Sequence, residues 1–413
     1  MALRARGLDR EDPHIAERRE AGLEALVLVH PRQLVVIEPR ALHPGVVEAE
    51  AEGTHEVQRR AGIGAEPYRV AGVGRDFGLE EYDVEHDYNY AVDISPGPAP
   101  TLAIDFCGLK FASPIVLLSG CVGFGEEYTR IAGFSNRDAG AIVLKGTTGQ
   151  PRLGNPLHRV TETPYGMINA IGLQNPGVDH VVRSILPTLD FTETRFIANV
   201  CGSTIEEYAE VTRRFDDSPI DAMEINISCP NVKEGGVQFG NYPEMSARVV
   251  AACRARTKKP LITKLSPNQT DIRENARLCI EAGSDGLAVI NTISGMAIDV
   301  ATRRPVIGNV QGGVSGPAIK PIALLKVKQV YEVAGPKRVP IIGQGGIASA
   351  NDAIEFLLAG ASAVGVGTAL FYDPLLCPKV NAGVAKYLAA AGMSSVAELT
   401  GALVSRKAAD CGN

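Results

Sequence analysis

The chain reads as an α/β protein, a (β/α)8 TIM barrel preceded by an N-terminal extension of unknown structure. Two observations predict the barrel. From residue 102 onward eight short apolar runs recur, with amphipathic segments between them. The runs are continuously apolar instead of alternating, as parallel strands covered on both faces are. Eight βα units in about 300 residues fit a closed parallel barrel. A doubly wound sheet is the alternative, because strand runs alone do not reveal closure.

Residues 1–100 stand apart in composition. They hold 11 Arg against 19 Asp+Glu, a net charge of −8, with no lysine and five of the seven histidines. The remainder carries 30 basic and 28 acidic residues, a net of +2. Ser95-Pro96-Gly97-Pro98-Ala99-Pro100 cannot be helical and marks a boundary. The expected organisation is therefore an extension over 1–100, a catalytic barrel over 101–402 and a tail over 403–413. The extension is open to three readings: an ordered addition, a disordered appendage, or an upstream region translated through a misplaced start. The missing lysine favours the last two.

The eight runs are 114–120 (PIVLLSG), 141–146 (AIVLKG), 195–200 (RFIANV), 222–228 (AMEINIS), 261–267 (LITKLSP), 286–292 (GLAVINT), 340–346 (PIIGQGG) and 363–369 (AVGVGTA). Helical periodicity is clearest over 204–215, 244–257, 271–283 and 349–360. Most runs stay apolar until their C-terminal end, which then carries a reactive or small residue. These ends are Gly120, Lys145, Asn199, Asn226 with Cys229, Lys264, Asn291, Gly345-Gly346 and Gly367-Thr368. Structural pairing could explain one buried lysine, but not two lysines and three asparagines at equivalent ends. The C-terminal rim is where barrels of this class place their chemistry. Glycine-rich ends on the last two strands further predict a phosphate site built from backbone N–H groups. Neither makes a G-x-G-x-x-G opening a βαβ unit, so no dinucleotide fold is expected in this chain.

Composition narrows the partners. A net charge of −6 gives no reason to expect nucleic acid or anionic lipid. The eight cysteines form no C-x-x-C pair, so no zinc or iron–sulfur site is read from their spacing, and they fit a reducing cytoplasm. The longest N-terminal apolar stretch, 23–37, is broken by His30-Pro31 and is too short to span a bilayer. No signal peptide is expected.

Four motifs in order carry a resemblance. The segments 166–177 (GMINAIGLQNPG), 226–231 (NISCPN), 291–299 (NTISGMAID) and 312–321 (GGVSGPAIKP) resemble those of class 1 dihydroorotate dehydrogenases. The likeness covers about residues 102–400. The stretch Asn231-Val232-Lys233-Glu234-Gly235-Gly236 is similar to the NAD-linked branch, class 1B, more than to the fumarate-linked one. The resemblance implies an FMN-bearing catalytic subunit that oxidises dihydroorotate to orotate in UMP synthesis, with Cys229 as base. By position it implies that Lys145, Asn169, Asn226, Asn231, Asn291 and Thr292 hold the substrate. It assigns Gly120, Thr147, Asn199, Lys264, Gly316, Gly345, Gly346, Gly367 and Thr368 to FMN, with Lys145 shared between the two. It implies no metal in this chain. FAD and a 2Fe-2S cluster are expected only on a partner subunit docked to a homodimer of this chain.

Lys264 has an independent rationale, since a fixed cation near N1 favours hydride acceptance by flavin. The glycines of 232–240 suit a lid over Cys229. Two positions depart from the family pattern: Cys121-Val122 stands where Thr-Phe is common, and Gly146 where Ser is common. Rival readings are another flavin-dependent dihydropyrimidine oxidoreductase, a dihydrouridine synthase-like reductase, and an inactive barrel serving as a scaffold.

Overall fold

A computed structural model describes residues 99–227 and 239–404. Eight strands close into a barrel: β1 (Ile115–Leu117), β2 (Ala141–Val143), β3 (Arg195–Val200), β4 (Ala222–Asn226), β5 (Leu261–Lys264), β6 (Gly286–Val289), β7 (Ile341–Gln344) and β8 (Ala363–Val366). Every neighbouring pair is parallel, and β8 pairs back to β1 through Val364 and Ile115. This closure excludes the doubly wound alternative.

The continuous apolar runs conceal an alternation of two. Val116, Ala141, Val143, Ile197, Ala222, Ile262, Ala288, Ile342 and Ala363 fill the barrel interior in one buried cluster. Their sequence neighbours Ile115, Leu117, Ile142, Phe196, Met223, Leu261, Leu287, Ile341 and Val364 face outward into a second cluster, with residues of the surrounding helices. Both faces are dry, so both carry apolar side chains. The N-terminal mouth is stoppered by a hairpin, Ile104–Phe106 with Leu109–Phe111. Its Phe106 and Phe111 rings stack at 5.5 Å inside the interior cluster.

The long helices are α1 (Ile205–Asp216), α2 (Pro243–Arg254), α3 (Ile272–Glu281), α4 (Lys320–Ala334), α5 (Ala350–Ala359) and α6 (Leu376–Ala390). Thr204, Asp271 and Ser349 cap α1, α3 and α5, each side chain accepting a first-turn backbone N–H. The regular alternation expected from the sequence fails in the first two units. Only 3-10 turns follow β1, and a three-residue helix with π and 3-10 turns precedes β3.

A second sheet is absent from the sequence reading. Val160–Thr163, Gly166–Asn169, Gly312–Ser315 and Ile293–Gly295 form an antiparallel sheet of four strands. Its strands leave the C-terminal ends of β2 and β6, which places them at the rim where the reactive residues stand. Thr101 donates its N–H to Ser394 O at 2.8 Å, tying the start of the barrel to the segment after α6. The extension, the 232–238 part of the expected lid, Cys229, Asn231 and most of the tail lie outside the described residues. Among the described residues no helix is long and apolar enough to cross a membrane.

Candidate active site

Follow the inward-facing positions upward and the barrel interior changes chemistry. On β3 the inward residue after Ile197 is Asn199, on β4 Ala222 is followed by Glu224 and Asn226, and on β5 Ile262 is followed by Lys264. Gln344 follows Ile342 on β7, and Lys145 continues the alternation of Ala141 and Val143 past β2. A polar layer therefore sits directly on an apolar one.

Glu224 is the hub of that layer. It is fully buried, and its Oε1 accepts from Asn199 Nδ2 at 2.5 Å and from Lys264 Nζ at 3.3 Å. Lys145 is just as deep, 6% exposed, yet among the described residues no carboxylate lies within ion-pair distance of it. Burial holds its ammonium down to about 8, only partly opposed by the nearby Cys121, Glu127 and Cys201. An uncompensated cation in a dry cleft is a place for an anion. Cys121 lies close enough to feel both lysines, but burial pushes its thiol up to about 11. Near neutrality it is protonated and makes a poor base.

Beside the lysines runs a thread of amides. Asn226 Nδ2 donates to Asn199 Oδ1 at 3.4 Å, and Asn291 Nδ2 donates to Asn226 Oδ1 at 3.2 Å. Asn291 Oδ1 accepts the Thr292 N–H at 2.7 Å. A Cβ on Gly313 would lie 2.0 Å from Thr292 Oγ1, and Asn169 Nδ2 donates to Gly313 O at 3.4 Å. The second sheet thus delivers Asn169, through Gly313, to Thr292 past the end of β6. Amides offer donors and acceptors to a flat, polar ring. Tyr208 donates its hydroxyl to Asn226 O at 2.7 Å, and Gly240 donates its N–H to Ile227 O at 2.8 Å. The described residues on either side of 228–238 therefore meet at the end of β4, beside the thread.

The glycine-rich ends converge on one spot. Gly316, Gly345 and Gly346 have φ of +97°, +129° and +89°, which side chains rarely adopt. A Cβ on Gly346 would stand 2.8 Å from Gly316 O and 3.0 Å from Lys320 N, at the start of α4. Thr368 Oγ1 lies 2.8 Å from Ser315 Oγ and opens the 3-10 helix after β8. These glycines let the β7 end, the Gly312–Ser315 strand and the start of α4 approach closely, and backbone N–H groups gathered at such a junction suit a phosphate. Thr147, past the end of β2, donates its N–H to Asn199 O at 2.9 Å. Gly120 meets nothing where its Cβ would be, so its φ of +88° alone demands glycine.

Comparison with known proteins fits this geometry. The family model described as dihydroorotate dehydrogenase matches residues 101–388. The chain belongs to the dihydroorotate dehydrogenase family. A relative from Trichlorobacter lovleyi, named "Dihydroorotate dehydrogenase B (NAD(+)), catalytic subunit", is 50% identical over 305 residues, 74% of this chain and 99% of that protein. One of the same name from Anoxybacillus flavithermus is 50% identical over 301 residues, 73% and 95% of the two chains. The fold is shared with the crystal structure of DHODH in complex with ferulenol from Eimeria tenella. The TM-score is 0.61 at 24% identity, over 73% of this chain and 88% of that one.

Within this dihydroorotate dehydrogenase family member the two departures have local explanations. A Cβ on residue 146 would stand 2.9 Å from Asn199 Oδ1 and 3.0 Å from Cys201 Sγ, so Gly146 accommodates the bulk of Cys201. Cys121 packs where a Cβ on Gly367 would lie 3.2 Å from its sulfur, on the glycine-rich side of the rim. Sequence reasoning missed Glu224 and Gln344. Gln344 donates Nε2 to Ile290 O at 2.9 Å, bracing the end of β6 just before Asn291. The signal for Glu224 was a single charge inside AMEINIS, at an inward position once the alternation is followed.

Proposed function

We propose that this protein oxidises (S)-dihydroorotate to orotate, the flavin step of de novo UMP synthesis. The observation that carries the reading is the pairing of an uncompensated buried lysine, Lys145, with the amide thread on one rim. That combination offers a cation for the substrate carboxylate and donors and acceptors for the pyrimidinedione edge. Asn169, Asn226, Asn291 and Thr292 would orient the ring, with Asn231 added from the segment beyond Ile227. Cys229, in that same segment, would take the proton from C5 while the C6 hydrogen leaves as hydride, forming the C5=C6 double bond. Its thiol needs no histidine, since a reference pKa of about 8.5 leaves some thiolate near neutrality.

The glycine junction at Gly316, Gly345, Gly346, Gly367 and Thr368 suits the phosphate of FMN, and Gly120, Thr147, Asn199 and Lys264 would lie along the rest of the cofactor. Bound there, FMN would supply the hydride acceptor. The names of the relatives support a further reading: NAD as final acceptor, reached through a partner subunit, on which the family resemblance implies FAD and 2Fe-2S. Leu153 and Val300 are 88% and 83% exposed, and Leu157, Tyr165, Met296, Ile298 and Val310 are exposed with them in the two insertions that follow β2 and β6 and carry the second sheet. So much uncovered apolar surface suits a homodimer core with such partners attached. The described cysteines are all free thiols, consistent with a cytoplasmic setting. The deciding experiment is an anaerobic titration. The purified protein should show an FMN spectrum that bleaches on adding dihydroorotate, and a spectrum unmoved by dihydroorotate would sink the reading.

A further inference from the structure

We propose that Glu224 is a positioning residue for the flavin, offsetting the charge of Lys264 and so setting the reduction potential of the bound FMN. The inference rests on the flavin reading above. Its first support is an energetic oddity. Glu224 is fully buried, its contact to Lys264 is 3.3 Å, and its Oε2 has no hydrogen-bond partner among the described residues. A buried ion pair offsets its desolvation only with close geometry and every lone pair satisfied, and an apolar pair of similar volume is often as stable or more so. The layer below is built from valine, isoleucine and alanine, which shows that apolar filling suits this barrel. Packing therefore gives no reason for the carboxylate.

Its second support is orientation. The β4–β5 register pairs Glu224 with Ile262 and Asn226 with Lys264, so the lysine stands two residues nearer the rim than the glutamate. The pair is a fixed dipole, cation toward the site and anion beneath. Flavin gathers negative charge on reduction, which Lys264 favours and Glu224 opposes. In a dry interior neither effect is strongly screened. Glu224 also accepts from Asn199, a residue on the same rim, and so aims both neighbours at once.

The test is the midpoint potential of bound FMN, measured anaerobically against a reference dye. Glu224→Gln keeps the shape and can still accept both hydrogen bonds, but removes the negative charge. It should shift the reduction equilibrium toward reduced flavin by tenfold or more, about 30 mV for a two-electron couple. A potential equal to or below that of the unaltered protein would overturn the proposal. If Glu224→Gln fails to retain FMN, the double variant Glu224→Gln/Lys264→Met decides. Losing both opposing charges should lower the equilibrium by less than tenfold, whereas a larger fall would mean that Lys264 acts alone. Loss of FMN from both variants would mark the pair as structural and also overturn the proposal. The two levels separate cleanly. Unaltered protein that takes up no added FMN refutes the flavin reading, while bound FMN with an unmoved potential refutes only the role of Glu224.

Discussion

Lys145 and Lys264 face one rim, but among the described residues only Lys264 has a carboxylate within ion-pair distance. The consequence for Lys145 can be worked through. Burial lowers its pKa to about 8 in the folded protein. Between that value and its unfolded value near 10.4 the unfolded chain binds more protons, so stability rises with pH across this window and is diminished below it. At pH 7 the cost is on the order of 3 kcal/mol. Lys145→Met should therefore raise the Tm of flavin-free protein at pH 7 by several degrees, a gain that vanishes near pH 11. The same change should weaken orotate binding at least tenfold, which isothermal calorimetry would measure. A Tm that falls would mean the lysine is paired in a way the described residues do not reveal. Orotate affinity of the unaltered protein should also decline as pH rises above 8, because Lys145 then loses its proton. Cys229 pulls the other way, since a thiolate is the base. Cys229→Ala should keep FMN but slow its reduction by dihydroorotate about 10²–10⁴-fold in stopped flow. Unaltered protein should reduce its flavin faster as pH rises through the thiol titration, even as substrate binds less tightly.

Elements differ in how openly the sequence declares them. The strands were legible because both faces of a parallel barrel are dry, and the helix starts because Thr204, Asp271 and Ser349 cap them. The polar ends Lys145, Asn199, Asn226, Lys264 and Asn291 were legible for the same reason, as polar interruptions of apolar runs. The second sheet was not. Its strands Gly166–Asn169 and Gly312–Ser315 are short and glycine-rich and pair across more of the chain than a local pattern spans. Glu224 was hidden because a charge within a run looks like noise until the inward register is known. These elements carry separable effects. Gly346→Ala would force a Cβ to 2.8 Å from Gly316 O at a φ of +89°. It should weaken FMN binding at least tenfold, read by quenching of flavin fluorescence. Ser349→Ala, one turn away at the start of α5, should instead cost about 1 kcal/mol of stability and leave FMN affinity unchanged. Equal losses of FMN in both would show that the glycine junction is not the phosphate site.

At the scale of the molecule, every rim group named above falls after residue 98 in the sequence, and the barrel is tied off by Thr101 against Ser394. A protein beginning at Pro100 should fold, bind FMN and oxidise dihydroorotate, and insoluble or flavin-free product would place the extension within the fold. The route of electrons out of the flavin is the larger question. The described residues hold no group of metal-binding side chains, and no dinucleotide fingerprint is present in the sequence. The glycine junction at the ends of β7 and β8 suits the phosphate of one mononucleotide. If NAD is the final acceptor, as the names of the relatives suggest, its reduction belongs on another chain, and the exposed apolar side chains of the two insertions are available to bind one. The protein alone should then pass electrons to dyes or oxygen but form NADH very slowly. Adding the partner subunit should restore NADH formation without changing the stopped-flow rate of flavin reduction, because every residue proposed for that chemistry belongs to this chain. Rapid NADH formation by the lone chain would refute the two-subunit route. Brisk turnover with fumarate would instead place the chain in the other branch of its class.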